Sequence, residues 1–323
     1  MPQSNAHSPV IIATRGSALA LTQARYVQAR FREILPDLPF EIEIFKTKGD
    51  QLQSKRPEEI PSKLPKGLFT KELETALLGE KADLAVHSLK DLPTELPEGL
   101  KMAAVSPRED AREVLLTKRP IENLTADANV FSLLPDHATI GTGSPRRQAF
   151  ISRGNESLKT AAIRGNVPTR IRKLAESDEL DGIILAAAGL KRLGYELHAD
   201  KPITGNEAPD SIYATILPIT DMIPCVGQGA IGLETRSKDS RIDELCHQFN
   251  HAATDVCTET ERTFLRAMGG GCQSPIAACA TLHEETLHLI AANLSDGIMK
   301  VLEETVAPDR GPSLAQKFAD QLK

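Results

Sequence analysis

The stretch that decides the fold reads Ala138-Thr139-Ile140-Gly141-Thr142-Gly143-Ser144-Pro145-Arg146-Arg147. A short β-branched run enters a loop of small residues, and a proline then stands at the first helical position, where its missing N–H costs nothing. The stretch therefore predicts a strand, a glycine-rich loop and a helix in immediate succession.

The same order occurs near the start of the chain. Residues 10–13 form a β-branched run, Thr14-Arg15-Gly16-Ser17 form a loop, and residues 18–35 carry a helical apolar stripe that Ser17 is placed to cap. Such a corner collects an anion, because unpaired N–H groups and the positive end of the helix dipole meet there. For any single corner, however, the favoured interpretation is a capped helix with a surface arginine.

Each half also contains a buried strand that ends in a polar turn. Residues 82–86 lead into His87-Ser88-Leu89-Lys90-Asp91, and the nearly continuous apolar run 181–188 leads into Gly189-Leu190-Lys191-Arg192. In open α/β sheets, ligands bind beyond the carboxyl ends of the strands. We therefore expect two α/β lobes of like design that face each other across a cleft.

The remaining segments complete this organisation. The proline-containing stretch 50–65 is expected to be a loop, and the glycines within residues 222–230 are expected to mark the return of the chain between lobes. After helices within 241–268, three strand-like runs and a last helix from Ser313 predict a small third α/β domain. The expected domains are lobe 1 at 8–106 plus 229–247, lobe 2 at 112–222 and domain 3 at 252–323.

Composition excludes several classes of protein. The chain has 323 residues and a net charge of −6, and its longest apolar run, 183–190, is shorter than the roughly 18 residues that a membrane span needs. Five cysteines without a CxxC pair argue against a disulfide framework and a structural zinc site: Cys225, Cys246, Cys257, Cys272 and Cys279. We expect a cytoplasmic protein, or one of the plastid stroma if a transit peptide has been removed, with no metal and no stable oligomer.

Positive charge is concentrated between residues 141 and 173. The only acid there is Glu156, and the basic residues are Arg146, Arg147, Arg153, Lys159, Arg164, Arg170, Arg172 and Lys173. The acidic total, the absence of Trp and the presence of only three Tyr argue against nucleic-acid binding. Arginines at loop-to-helix corners suit carboxylates or phosphates, each charged hydrogen bond contributing about 1.5–3 kcal/mol. The expected ligand is small and polyanionic.

Two further places carry candidate chemistry. Lys90 and Asp91 offer a cation and a proton carrier together at a strand end, whereas His87 fits a hydrogen-bonded packing residue better than a metal ligand. Cys272 lies between Gly269-Gly270-Gly271 and Gln273-Ser274-Pro275, which leaves its thiol on a bare loop. An inert cysteine behind glycines that merely end a helix is an equally good interpretation of this loop.

Taken in order, eight motifs resemble those of the hydroxymethylbilane synthase family, also called porphobilinogen deaminases, over nearly the whole chain. They are Ala13-Thr14-Arg15-Gly16-Ser17, Lys66-Gly67-Leu68-Phe69, Val86-His87-Ser88-Leu89-Lys90-Asp91, Gly141-Thr142-Gly143-Ser144-Pro145-Arg146-Arg147, Arg164-Gly165-Asn166-Val167, Gly189-Leu190-Lys191-Arg192-Leu193-Gly194, Val226-Gly227-Gln228-Gly229-Ala230 and Gly270-Gly271-Cys272. The resemblance implies two periplasmic-binding-protein-like (type II) lobes plus a small C-terminal α/β domain. It also implies a monomeric transferase that joins four porphobilinogen units, with loss of ammonia, into hydroxymethylbilane.

The resemblance further implies roles for individual residues. Asp91, Lys90 and Arg15 would be catalytic, and a dipyrromethane cofactor would be attached through a thioether to Cys272. The other cofactor-binding residues would be Lys90, Ser144, Arg146, Arg147 and Arg170. The substrate-binding residues would be Arg15, Ser17, Arg164, Arg170, Arg192 and Gln228.

Three places depart from the family pattern. Gly269 stands where an acidic residue is common, Lys63-Leu64-Pro65 replaces a glycine-rich segment, and the stretch 206–220 is longer than usual. A non-catalytic two-lobed binding protein for a small polyanion is the alternative from another class. It predicts tight binding of an anion and no release of ammonia from porphobilinogen.

Overall fold

A computed structural model of the chain describes residues 8–53, 69–125, 127–270, 274–295 and 299–323. Its strands are β1 Val10–Thr14, β2 Phe40–Ile44, β3 Leu84–Ser88, β4 Leu100–Val105, β5 Glu113–Thr117, β6 Thr139–Gly141, β7 Lys159–Ala161, β8 Gly182–Ala186, β9 Tyr213–Ile216, β10 Ile231–Arg236, β11 Ile276–His283, β12 Thr286–Asn293 and β13 Lys300–Val306. Its α-helices are α1 Ala18–Ile34, α2 Lys48–Gln53, α3 Lys71–Leu78, α4 Pro145–Gly154, α5 Val167–Glu176, α6 Ala187–Arg192, α7 Ser240–Phe249, α8 Ala252–Ala267 and α9 Gly311–Leu322.

The chain forms two compact units, and each is discontinuous. Unit 1 is Met1–Arg108 with Ala230–Asp255, and unit 2 is Glu109–Gly229 with Val256–Lys323. No helix among the described residues is both long enough and apolar enough to span a membrane.

Unit 1 is built on a five-stranded sheet of order β2-β1-β3-β10-β4. The first three strands are parallel, and β10 runs antiparallel to both of its neighbours. Ser17 caps α1 by accepting a hydrogen bond from the Ala20 N–H. On α1 the ring of Phe31 is buried, 5.5 Å from the ring of Phe40 and 5.4 Å from that of Phe249. This aromatic cluster fixes α1 against the sheet and α7.

Unit 2 repeats the same sheet plan with the order β7-β6-β8-β5-β9. Strands β7, β6 and β8 are parallel, and β5 runs antiparallel to β8 and β9. In both sheets the first of the three parallel strands (β1 or β6) lies between the second and the third. An antiparallel strand (β10 or β5) then separates the third parallel strand from the edge strand (β4 or β9). This is the topology of a type II periplasmic-binding-protein lobe, so the predicted fold class is confirmed.

The three-stranded antiparallel sheet β11-β12-β13 also belongs to unit 2. Along β11, Ala278 and Ala280 pack with α8 and α9, whereas Ala277 and Cys279 pack with Phe131 and its neighbours. Successive side chains of a strand point to opposite faces. The sheet therefore buries apolar side chains on both of its faces.

Several elements differ from the expectations. Residues 50–53 belong to the helix α2, although the stretch 50–65 was predicted to be a loop, and the predicted basic turn after β8 is the helix α6. Strand β8 is parallel to β6 but antiparallel to β5, so the sheet is mixed. Part of the unassigned stretch 206–220 is the edge strand β9, which gives that part a structural role.

Candidate active site

A pocket lies at the carboxyl ends of the parallel strands β1 and β3 of unit 1. Arg15 and Ser17 follow β1, while Asp91 lies in the 3₁₀ turn Leu89–Asp91 that follows β3. The residues that line the pocket are Arg15, Ser17, Leu19, Ala20, Gln23, Phe69, Thr70, Val86, His87, Ser88 and Asp91. Three residues predicted from two separate motifs are thus brought to one place.

The turn that carries Asp91 is fixed to the rest of unit 1 through Leu89. Leu89 is buried, and its N–H donates to the carbonyl of Ala230 at 3.0 Å. Asp91 is exposed on the pocket side, and Lys90 is half-buried in the same turn. The turn therefore holds a carboxylate where a bound molecule can reach it.

The Arg15 side chain is held by an acid that the motifs did not single out. Nε and Nη2 of Arg15 donate to Asp50 Oδ1 at 3.2 and 2.5 Å, and the ring of Phe69 lies 4.2 Å from the guanidinium carbon. Burial acts to raise the pKa of Asp50, but the hydrogen bonds from Arg15 and Thr47 outweigh it and leave that pKa below its ordinary value. Asp50 therefore stays ionised at neutral pH.

A layer of buried polar side chains adjoins the pocket. His87 Nε2 lies 2.9 Å from Glu234 Oε2, both groups being buried, which agrees with the predicted packing role of His87. Thr70 Oγ1 donates to Glu74 Oε1 at 2.6 Å, and burial raises the pKa of Glu74. Among the described residues, no cluster of three or more His, Cys, Asp or Glu could hold a metal ion.

In unit 2, the predicted ligand-binding residues follow the three parallel strands. Ser144 follows β6, Arg164 follows β7 and Arg192 lies in the helix after β8, so all three are at one edge of the sheet. Ser144 and Asn166 cap α4 and α5, accepting from the N–H groups of Arg147 and Thr169. Two capped helix N-termini thus face the edge at which a ligand of this fold binds.

The other predicted residues of unit 2 are engaged with the backbone nearby. Arg170 Nε donates to the Gly165 carbonyl at 2.7 Å, Arg192 Nη2 to the Gly229 carbonyl at 2.6 Å and Gln228 Nε2 to the Ala111 carbonyl at 2.7 Å. Arg164 is exposed, while Arg170 and Arg192 are half-buried and Gln228 is buried.

Arg146 and Arg147 lie inside unit 2. Both guanidinium groups donate to the fully buried carboxylate of Glu113; Arg146 also donates to the Ile223 carbonyl and Arg147 to the Ile184 carbonyl. Contact of these arginines with a cofactor stays a prediction. Sequence reasoning did not find Glu113, whose only signal is an acid that opens the apolar run Val114-Leu115-Leu116.

Cys272 lies outside the described residues, as do Lys63-Leu64-Pro65 and Lys66-Gly67-Leu68. The structure describes the chain up to Gly270, where the Gly269 N–H donates to the Arg266 carbonyl and the Gly270 N–H to the Leu265 carbonyl. Gly269 has φ +66°, so these bonds form a left-handed helix cap. The departure at Gly269 therefore supplies the residue type that best ends α8.

Polar loop-to-helix corners lie at the strand ends of both α/β lobes, an arrangement typical of proteins that bind small anionic molecules. Family models match over nearly all of the chain: "Porphobilinogen deaminase, dipyromethane cofactor binding domain" over residues 10–244 and "Porphobilinogen deaminase, C-terminal domain" over residues 256–323. The chain belongs to the porphobilinogen deaminase family and is accordingly a transferase.

Curated relatives agree with this assignment. The chain is 45% identical to the porphobilinogen deaminase of Carboxydothermus hydrogenoformans, over 97% of this chain and 93% of the relative, and 39% identical to that of Chromobacterium violaceum, over 97% and 94%. Among solved structures, it aligns with the reduced OxyR regulatory domain from Pseudomonas aeruginosa at 13% identity and a TM-score of 0.41, over 76% of this chain and 98% of that chain.

The donors of unit 2 fit a dipyrromethane group, whose pyrroles carry acetate and propionate side chains. Arg164 is exposed, Arg170 is half-buried, and the N-termini of α4 and α5 lie at the same sheet edge. Guanidinium groups and helix N-termini are the donors that bind carboxylates best.

Proposed function

We propose that the chain is a hydroxymethylbilane synthase. It condenses four porphobilinogen molecules stepwise onto a covalent dipyrromethane primer, releases ammonia at each step, and then frees the linear tetrapyrrole by hydrolysis. The observation that carries the proposal is the agreement of both family models with one pocket that holds Asp91, Arg15 and Ser17.

Asp91 performs the proton transfers at the substrate, and Arg15 and Lys90, the other two residues assigned as catalytic, contact the substrate beside it. Asp91 in its acid form protonates the departing amine, which leaves as ammonia. The resulting carboxylate stabilises the positive charge that develops on the substrate and then accepts the proton from the α-carbon after coupling, which restores the acid form. General acid–base catalysis of this kind contributes about 10²–10⁴-fold. Arg15 and Ser17 hold a substrate carboxylate, since both line the pocket beside Asp91.

The cofactor is attached through Cys272 and, when bound, supplies the nucleophilic pyrrole carbon from which the chain of pyrroles grows. Lys90, Ser144, Arg146, Arg147 and Arg170 hold its carboxylates, while Arg164, Arg170, Arg192 and Gln228 bind incoming substrate. The contacts of Arg146 and Arg147 with the buried carboxylate of Glu113 fix the position of both arginines at the start of α4. The division into lobe 1, lobe 2 and domain 3 at the boundaries given above belongs to the same proposal.

Intact-mass measurement of the natively purified protein tests the cofactor. We expect an excess equal to two pyrrole units that is absent from Cys272→Ala, and we expect the unaltered protein to release ammonia from porphobilinogen. An unmodified mass in an active protein would overturn the assignment of Cys272. Tight binding of porphobilinogen with no ammonia release would favour the non-catalytic binding protein instead.

Cytoplasmic location and a monomeric state complete the proposal. The fold supports the monomeric state, because each lobe has a complete sheet within one chain. Light scattering coupled to size exclusion should give the mass of a single chain.

A further inference from the structure

The guanidinium group of Arg15 is restrained on two sides. Along one edge, Nε and Nη2 donate to Asp50 Oδ1, and over one face lies the ring of Phe69, with its centroid 4.2 Å from Cζ. Only 17% of the Arg15 side chain is exposed. A planar group held at an edge and a face keeps its remaining N–H groups in a set direction.

Asp50 is itself fixed before it meets Arg15. Thr47 Oγ1 donates to Asp50 Oδ2 at 2.7 Å, and the Asp50 N–H donates back to Thr47 Oγ1 at 3.2 Å. Because Thr47 is fully buried, its hydrogen bonds hold the Asp50 carboxylate in a fixed position. Oδ2 of Asp50 is thus held by Thr47, with a longer 3.4 Å bond from Arg15 Nε, while Oδ1 accepts the two shorter bonds from Arg15.

The ring of Phe69 is placed by the same helix. A Cβ atom on Gly49 would lie 2.1 Å from Cδ1 of Phe69, so the ring rests directly on the backbone of α2 at a position where only glycine fits. Helix α2 therefore supplies both the edge partner of Arg15 and the support for its face partner.

We infer that Asp50 is a positioning residue, which with Phe69 directs Arg15 toward a carboxylate of porphobilinogen. This inference rests on the proposed function, which assigns Arg15 to the substrate. Arg15 and Phe69 are among the residues that line the pocket, and Asp50 is not. Asp50 thus acts from behind Arg15, and substrate can bind without breaking the Asp50 contacts.

Asp50→Asn tests the inference in the holoenzyme, after intact mass has verified the cofactor. We expect KM for porphobilinogen to rise about tenfold with kcat within about twofold, the signature of lost binding that ground and transition states share. Glu33→Gln is the matched control, because it removes an exposed carboxylate that pairs with Arg30 on α1. KM in this control should equal that of the unaltered enzyme.

A double-mutant cycle separates positioning from a general structural effect. With Asp91→Asn present to prevent turnover, calorimetry gives the Kd of porphobilinogen for Asp50→Asn, Arg15→Gln and the two combined. If Asp50 acts through Arg15, Asp50→Asn weakens binding alone and adds nothing once Arg15 is replaced. Additive losses, or an unchanged Kd in Asp50→Asn, would overturn the inference.

A lower KM or Kd in Asp50→Asn would also overturn it, because it would mean that Asp50 competes with substrate for Arg15. Should Asp50→Asn fail to fold, Phe69→Leu provides the same test from the face of the guanidinium group, with a smaller rise in KM expected.

If the unaltered chain releases no ammonia from porphobilinogen, the proposed function fails whatever the variants do. If it does, and the variants bind substrate normally, only the positioning inference fails.

Discussion

Glu113 joins two guanidinium groups in the interior of unit 2. Its carboxylate has no exposed surface, and each oxygen accepts from an arginine of α4. Two arginines buried beside one carboxylate are tolerated because the Ile223 and Ile184 carbonyls accept further N–H groups. The cluster couples the start of α4 to β5 and to the middle of β8.

Glu113→Gln should therefore destabilise the protein strongly. It leaves two buried positive charges without their counterion, for which the expected loss in free energy of unfolding is about 3–5 kcal/mol. Urea unfolding followed by circular dichroism measures the change. Glu304→Gln is the comparison, since its side chain is 41% exposed and that of its partner Lys317 is 50% exposed, and a loss below about 1 kcal/mol is expected there. Equal midpoints for the two variants would contradict the role given to Glu113.

Asp91→Asn should keep the cofactor and lose the reaction. The substitution preserves the size of the side chain on an exposed turn, so folding and intact mass should match the unaltered enzyme, while kcat falls by about 10²–10⁴-fold. Glu95→Gln, an exposed acid four residues later, should turn over normally. Normal ammonia release by Asp91→Asn would remove Asp91 from catalysis.

At the scale of single residues, the sequence predicted groups that recur in motifs and missed those that support them. Arg15 and Asp91 belong to loops whose composition signals a ligand, and the structure places them in one pocket. Asp50 lies 35 positions from Arg15, in a segment that composition assigns to a loop. No local pattern encodes such a pairing, because it depends on how β1 and β2 lie side by side.

Among the secondary-structure elements, the connection between α6 and β9 depends on one close approach of backbone to backbone. A Cβ atom on Gly205 would lie 2.1 Å from the carbonyl oxygen of Gly194, and Gly205 has φ +79°. Nearby, Glu196 and Thr204 form a β-bridge. This contact closes the long excursion that precedes β9.

Gly205→Ala should separate the backbones of Gly194 and Gly205 and so destabilise the connection between α6 and β9. Gly194→Ala is the matched control. Gly194 also has a positive φ, +80°, but no heavy atom lies within 4 Å of its Cβ position. The control should lose about 1 kcal/mol from backbone strain alone, and Gly205→Ala should lose clearly more because its methyl group meets a carbonyl. Thermal melting and hydrogen exchange of residues 196–216 report the difference. Equal losses would show that the close approach does not matter.

Elements were predictable where capping and periodicity agree. Ser17, Ser144 and Asn166 mark the starts of α1, α4 and α5, and each side chain accepts from the first turn of its helix. Strands β4, β5 and β9 were not predicted because their residues lack a clear alternation of apolar and polar side chains. Their place in the sheets is set by tertiary pairing, which local propensity does not encode.

For the whole molecule, the described cysteines differ in how far their thiols are exposed to solvent. Cys246, Cys257 and Cys279 are buried, and Cys225 is half-buried. Burial raises the pKa of the Cys246 thiol to about 12, so this group stays protonated, and hence unreactive, far above pH 8. A thioether at Cys272, as proposed, would leave that sulfur without a thiol.

Maleimide labelling of the native holoenzyme at pH 8 should therefore modify Cys225 before any of the three buried cysteines. After removal of the cofactor by mutation of its binding residues, an additional label should appear at Cys272. Peptide mapping identifies the sites. Labelling of Cys272 in the native holoenzyme would contradict the thioether, and rapid labelling of Cys246 would contradict its burial.

The overall architecture was predictable because both lobes repeat the order of strand, loop and helix. The complete strand order of each sheet was not, because local sequence patterns do not show which distant strand pairs with which. In unit 1, β10 lies between β3 and β4 although more than a hundred residues separate it from β4. An antiparallel strand arriving from so far along the chain carries no local mark of its destination. Only its apolar composition was visible.

The position of β10 has a consequence for biosynthesis. A ribosome that has just translated β4 has made only four of the five strands of the first sheet, and Leu233, which the finished sheet buries, does not yet exist. At about 5–20 residues per second, the missing strand follows on the order of ten seconds later. During that interval the nascent first lobe exposes the edges of β3 and β4, so it is a natural client for a chaperone that shields unpaired strands.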